Sequence, residues 1–505
     1  MENCSPEYVL ILAAYCDKAI IHHNLEEAKR LMQHAEALQF EEKPILQATI
    51  YYCIGNLISA FQNQIFETKE KATEKTLYYY RKGITEIDQV EYNPDNEENI
   101  SLLKSLLLTN YANTLAYCGR TIMALEQYQN ALDELPNFGM ALGNLGRTYQ
   151  QYGVLEYDDG HQDFLHHYAY QYFQKAIESS DAYMTSDALA AFERAVNLYP
   201  AEYIEQVLKP TREIPKYEYS EPEEATYRTW CLANRLFLNS MNDLPIFSLY
   251  FANDVLQLPP MMVDQYETPV FHGMFAALKQ EYIYARFLYY EAEEPGAAPL
   301  YADCETFISA YTDYASYSIR LEKLKTAFKT LYGLFDKIAF FLAHYFDMGF
   351  ERPSDIDAKS IWKTHIGPAR KGYDLSHPLP YRSNFGLSAL YWICKDFFIL
   401  DHQNGSPNPD LQRIAEIRNY LEHRYVKIYE SNLCGSINEI KDELAEYISE
   451  DELRQMTMTL LKILREALIN LAFSINIAEE PKREAAKGHT IIPLELMEYD
   501  DDWKI

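Results

Sequence analysis

The feature that most restricts how this chain can fold is a self-similarity of about 34 residues in its first two hundred positions. In "LLTNYANTLAYCGRTIMALEQYQNALDELP", Ala112, Gly119, Ala124, Tyr128, Ala131 and Pro136 alternate small and large side chains at helical spacing. The next unit has Gly146, Tyr149 and Gly153, then Ala169, Phe173 and Ala176, with the insertion "LEYDDGHQDFLHHY" between its halves. Weaker copies carry Ala28, Met32 and Ala35; Gly55, Thr76, Tyr80 and Gly83; and Ala188, Phe192, Ala195 and Pro200. Small residues at the crossing points let paired helices approach closely, and the aromatic fills the hole beside them. One such pair cannot bury its apolar face alone, so stacked units share a continuous core.

This pattern resembles the tetratricopeptide repeat, a helix-turn-helix unit that builds a solenoid. The resemblance implies a concave face suited to a protein or peptide partner, a trigger or a regulator. The plainer alternative is an array that only rigidifies or dimerises the chain. At "LKPTREIPKYEYSEPEEATY", three prolines and clustered charges interrupt the helical period. We therefore divide the chain into a repeat domain over 1–215 and a second helical domain over 216–505 that ends in an acidic tail, "LELMEYDDDWKI".

The second half shows long amphipathic stretches and no hairpin signal, which predicts an all-α fold with an up-and-down bundle after the solenoid. Its longest candidate is "ETFISAYTDYASYSIRLEKLKTAFKTLYGLFDKIAFFLAHYF", read as two helices or one bent one. In "IRNYLEHRYV", the stripe Ile414, Ile417, Leu421 and Ile428 places polar residues on a rigid helix, with Asp410 of the turn "NGSPNPD" as its expected N-cap.

Bulk properties exclude several function classes. A net charge of -30 argues against a broad basic surface for duplex DNA, although a small basic site is compatible with it. Eight cysteines without a CxxC pair read as reduced thiols of a cytoplasmic protein. The opening "MENCSPEYVL" has no secretory pattern, and no run reaches the length of a membrane span. Phosphate-loop, HExxH and GxSxG motifs are absent. His161, Asp163, His166 and His167 lie in the repeat insertion, where a polar surface loop is the plainer reading than a metal site. No metal or cofactor is expected.

Arg418, Asn419 and His423 hold an arginine, a polar neighbour and a histidine on one predicted helix. The set resembles the R-x(4 to 6)-H motif of the HEPN superfamily. "YRTWCLANRLFLN" at 227–239 and the following "IYARFLYYEA" are similar to the start of a HEPN subfamily appended to tetratricopeptide repeats and linked to bacterial defence. Two other Arg-His spacings, "RKGYDLSH" at 370–377 and "REAAKGH" at 483–489, contain glycine and do not suit one continuous helix. The resemblance implies a metal-independent endoribonuclease leaving 2′,3′-cyclic phosphate and 5′-hydroxyl ends, with a homodimer forming a composite site. It further implies a toxin or anti-phage effector controlled through the repeats; the alternative is a non-catalytic scaffold or regulatory module.

The residue chemistry suits that expectation. His423 exchanges protons near neutral pH, and the planar Arg418 fork fits non-bridging phosphate oxygens. Asn419 is placed to orient either the histidine or the scissile phosphate. On an ideal helix Asn419 and His423 share a face, whereas Arg418 and His423 differ by about 140° and ~7.5 Å of rise. One helix therefore supplies an incomplete site, and two across a dyad bring both sets to one groove. The 2′-hydroxyl requirement makes RNA the substrate. Arg413, Arg424 and Lys427 are candidate RNA-binding cations, with ion pairing to Glu416, Glu422 and Glu430 as the plainer role.

Overall fold

The computed structural model describes residues 5–40, 42–92, 97–179, 183–211, 213–263, 268–293, 300–308, 315–362, 379–397, 408–429 and 442–488, with 492, 494, 496 and 500–504. The chain is all-α apart from one small sheet. The first part contains α1 (Pro6–Ile21), α2 (Leu25–Glu36), α3 (Pro44–Ile65), α4 (Lys69–Asp88), α5 (Glu97–Tyr117), α6 (Thr121–Glu134), α7 (Gly139–Leu155), α8 (Asp159–Glu178), α9 (Ser186–Asn197) and the short α10 (Ala201–Tyr203), which runs into a π-helical turn. Several starts are set locally. Side chains of Ser5, Asn24, Thr68, Asp158 and Thr185 each accept a hydrogen bond from a first-turn amide.

Successive helices form the hairpins α3/α4, α5/α6 and α7/α8. A methyl group added at Gly55 would overlap the Tyr80 ring, and one at Gly143 would overlap Phe192. The small-large alternation of the sequence is thus the packing code of these crossings. The insertion is not a surface loop: Asp158 caps α8 by accepting from His161 N at 2.8 Å, and most of the inserted segment is helical.

The second part contains α11 (Pro222–Ala233), α12 (Val270–Glu293), α13 (Ile319–Tyr345), α14 (Phe385–Phe397), α15 (Pro409–His423), β1 (Val426–Tyr429), β2 (Glu446–Ser449) and α16 (Glu450–Ala485). Among the described residues of the long stretch expected to be two helices or one bent one, the helix is α13, which begins after Ser318, whose side chain accepts from Leu321 N at 3.2 Å. Residues 301–308 before it are non-helical, and 309–314 lie outside the described residues. Strands β1 and β2 pair in parallel, with Val426 opposite Glu446 and Tyr429 opposite Ser449.

One hydrophobic core runs from α4 to α9 and on through α12 to α16, while α1, α2 and much of α3 share a second cluster. The array docks on α14 and α16 through charge. Arg120, in the α5/α6 turn and 1 % exposed, donates to Glu466 Oε2 at 2.8 and 2.9 Å and to Asp396 Oδ2 at 3.1 Å. Arg81 of α4 forks onto both oxygens of Asp396 at 2.9 and 3.0 Å. Nearby, Arg465 forks onto Asp243, which also accepts from Tyr152 Oη at 2.8 Å. Gly119 makes the approach sterically feasible: its φ is +87°, and a Cβ there would sit 2.7 Å from the Phe385 carbonyl oxygen.

Removing one member of a buried ion cluster strands the others without solvent, at about 3–5 kcal/mol. Asp396→Ala therefore destabilises the chain by that order in urea denaturation, because both Arg81 and Arg120 lose their carboxylate. Arg30→Ala, at the exposed Arg30–Glu27 pair, leaves the urea midpoint nearly unchanged. Equal small effects in both variants would contradict a charge-held junction.

Candidate active site

Helix α15 packs on α13 and α14 with Leu411, Ile414 and Ile417 buried. Its start differs from the expected one. Asn408 is a capping side chain, accepting from Leu411 N at 3.4 Å, with Pro409 at the first helical position, so the expected cap position, 410, lies inside the helix. Its end differs as well: the helix stops at His423, so Ile428 belongs to β1, where it is buried.

The structure places Arg418, Asn419 and His423 on this helix, the last two exposed and Arg418 half-buried. The Arg418 guanidinium lies 5.3 Å from the centroid of the Tyr332 ring on α13, and its Nη1 donates to Asn419 Oδ1 at 3.3 Å. Asn419 thus contacts the arginine. One turn beyond Tyr332, burial pushes the Asp336 carboxyl above its ordinary value, against the opposing pull of the Ala358 amide and Arg418. Burial also pushes the Tyr332 phenol up, with Arg418 opposing. His423 is the last helical residue and faces solvent three positions before β1.

The three candidate RNA-binding cations have unlike surroundings. Arg413 is engaged by Glu446 at 2.7 Å, Glu452 at 3.3 Å and Glu416 at 3.6 Å, which ties α15 to β2 and α16. Lys427 is off the helix, on β1, and 4 % exposed, with its ammonium 3.2 Å from Asp442. Only Arg424 of the three is exposed, its guanidinium 5.1 Å from the Tyr420 ring centroid. Glu416 pairs with Arg413 as the sequence suggested, while Glu430 lies outside the described residues.

The histidines of the array are held separately. His167 Nδ1 lies 2.7 Å from the Leu208 carbonyl, His166 Nδ1 lies 3.0 Å from Tyr199 Oη, and His161 Nδ1 lies 3.0 Å from Ser240 Oγ. Asp163 accepts from Tyr203 Oη at 2.6 Å. Among the described residues, no group of three or more His, Cys, Asp and Glu side chains is placed to hold a metal ion. None of the helices described is long and apolar enough to cross a membrane. Both alternative Arg-His spacings end outside the described residues, the stretch 370–377 wholly so and the other at His489.

The contacts that sequence spacing could not disclose are those of Tyr332 and Asp336, which lie on a different helix. A short sheet secures the far end of the site: Glu446 N donates to the Tyr425 carbonyl at 3.0 Å, and Ser316 N to the Ile428 carbonyl at 2.7 Å.

With this geometry in hand, residues 262–478 match the model of the LA2681-like HEPN family. The matched segment runs from before α12 into α16 and includes Arg418, Asn419 and His423, which supports a HEPN domain in the C-terminal half. It contains "IYARFLYYEA" and begins after 227–239. The helical hairpins before it are compatible with tetratricopeptide stacking. No curated protein and no solved structure matches the chain.

Two measurements check this arrangement. Lys427→Met lowers thermal stability because Asp442 loses its buried partner, whereas Arg424→Glu leaves melting within the small range of surface changes. The opposite pattern would reverse their roles. For Glu450 at the start of α16, burial raises the carboxyl but bonds from Arg320 and Arg454 outweigh it, leaving the group below its ordinary value. Its stabilising contribution is present above the unfolded carboxylate range, near 4.3, and is lost as pH falls through the lower folded value. Glu450→Gln flattens the acid limb of a stability-versus-pH curve in that window; an unchanged limb refutes the assignment.

Proposed function

We propose that the protein is a metal-independent endoribonuclease whose site is built on α15, with His423 as the proton-transfer group and Arg418 as the phosphate-binding group. The observation that carries this reading is an exposed imidazole and a half-buried guanidinium on one helix, inside the segment that matches the HEPN family. His423 takes the proton from the ribose 2′-hydroxyl or delivers one to the departing 5′-oxygen. The freed 2′-oxygen attacks the adjacent phosphorus, so the products are a 2′,3′-cyclic phosphate and a 5′-hydroxyl. Arg418 stabilises the charge that accumulates on the non-bridging oxygens. DNA lacks the nucleophile and is not cut.

Within one protomer, Arg418 turns onto α13 while His423 stands more than one helical turn further along. A homodimer with α15 near its dyad sets the arginine of one protomer beside the histidine of the other, and we assign the complete site to that assembly. The repeat array is assigned the sensing role, taking a protein or peptide trigger in a cytoplasmic defence setting.

The test is incubation of purified protein with total RNA in chelator, followed by mapping of fragment ends. Cleavage with cyclic phosphate ends is expected, and His423→Ala lowers the rate by at least about 100-fold without changing folding or dimerisation. Ends bearing 5′-phosphate, dependence on metal, or full activity of the variant would each remove the proposal. Dimerisation without cutting would favour a scaffold role.

A further inference from the structure

We propose that Tyr332 is a positioning residue for Arg418, and that the array reaches it through the adjacent residues Asp396 and Phe397 at the end of α14. The inference rests on the ribonuclease reading for its consequence in catalysis, but its geometry stands apart from that reading.

Tyr332 is 8 % exposed and presents its ring to the Arg418 guanidinium at 5.3 Å. Such a contact is attractive between the charge of the cation and the quadrupole of the ring. An aromatic ring holds a guanidinium through charge and quadrupole, so the contact limits the fork's freedom without a carboxylate partner. Among the described residues, the hydrogen bond of the Arg418 side chain is the one from Nη1 to Asn419 Oδ1. Among the described residues its other N–H donors make no hydrogen bond, which leaves them for phosphate oxygens. The stack thus removes rotamer freedom that a substrate would otherwise have to freeze.

The same ring has a second neighbour. Phe397 packs edge-on to Tyr332 with centroids 6.2 Å apart, and it also contacts Phe335 at 4.9 Å. Phe397 is the last residue of α14, and its neighbour Asp396 is the carboxylate shared by Arg81 and Arg120 of the repeat array. From the α5/α6 turn to the motif arginine the contacts are therefore continuous: Arg120, Asp396, Phe397, Tyr332, Arg418. Asp396 fixes the end of α14, the end of α14 fixes Phe397, and Phe397 limits where the tyrosine ring can lie. A displacement of the array at this junction changes the support beneath the phosphate-binding group, which gives the sensing half a direct mechanical route to the site.

The test uses the full chain with arginine side chains labelled for nuclear magnetic resonance, together with RNA cleavage. In the wild type, the Arg418 Nε–H signal carries the ring-current shift of Tyr332 and is assigned by its loss in Arg418→Lys. Tyr332→Phe retains both that shift and a cleavage rate within about twofold. Tyr332→Leu, checked for folding by its melting curve, loses the shift, and kcat falls between about 10- and 100-fold with KM little changed. Asp396→Asn, which keeps shape but weakens the pull of both arginines, moves the Arg418 signal although it lies on another helix. An Arg418 signal that is unaltered in Tyr332→Leu overturns the stack, and one unaltered in Asp396→Asn overturns the route. If Arg418→Lys cuts RNA at the wild-type rate, the ribonuclease assignment of Arg418 fails while the resonance shifts still decide the positioning claim.

Discussion

Asp396 is where the two halves of this molecule become one body. Its carboxylate is 2 % exposed and receives Arg81 and Arg120, and Arg120 in turn reaches Glu466 of α16. Burial alone would disfavour the charge on Arg120, and the neighbouring Glu466 and Asp396 more than reverse that tendency. Such clusters have strict geometry and contribute little net attraction once desolvation is counted. What they supply is registry. An apolar face of the array could slide along α14 and α16 by a fraction of a turn at small cost, whereas the same slide would pull Arg81 and Arg120 off the buried Asp396 and Glu466.

From that junction the architecture of the candidate site follows. Helix α16 carries Glu466 at its middle and Glu450 and Glu452 at its start, so the helix docked against the array also bonds Arg320 and Arg413. Arg413 then holds α15 to β2, and the parallel pairing of β1 with β2 anchors the chain immediately beyond His423. The exposed histidine sits on a surface braced at both ends. Catalytic side chains need this kind of support, because an error of an ångström in their placement costs orders of magnitude in rate.

How much of this was legible in the sequence depends on the range of the interaction. The hairpins of the array could be read because Gly55 against Tyr80 and Gly146 against Phe173 are small-against-aromatic crossing contacts within the α3/α4 and α7/α8 pairs. The motif helix could be read because Leu411, Ile414 and Ile417 keep the spacing of one buried face. Its limits could not. Asn408 and Asp410 are both good capping residues, and the choice falls to the one followed by Pro409, which suits the first helical turn. Ile428 continues the helical spacing by coincidence, yet the β-branched pair Val426 and Ile428 enters a strand because β2 is there to receive it. Lys427 reads as a surface cation until the strand turns it inward to Asp442. The ion cluster was wholly illegible: Arg120 is 276 residues from Asp396 and 346 from Glu466, and neither composition nor period carries a signal over that span.

The same accounting explains how a chain of net charge -30 can present a site for a polyanion. Cations that look available in the sequence are largely committed to carboxylates, as Arg413 and Lys427 are, so a broad electrostatic footprint does not form. Arg418, like Arg424 beside Tyr420, has an aromatic ring next to its guanidinium, and Arg418 alone of the two is half-buried against the body of the fold. A guanidinium held in that way keeps its field and its in-plane donors for an incoming phosphate, whereas one held by a carboxylate would have to break an ion pair first. Under the proposed ribonuclease reading, the surrounding acidity would act as a filter, since RNA would gain nothing from general contact with this surface and would be held only where a positioned cation meets a backbone phosphate. Tyr332 is therefore as much a part of the proposed chemistry as the motif itself, and it reaches the site from a helix that no motif spacing could have named.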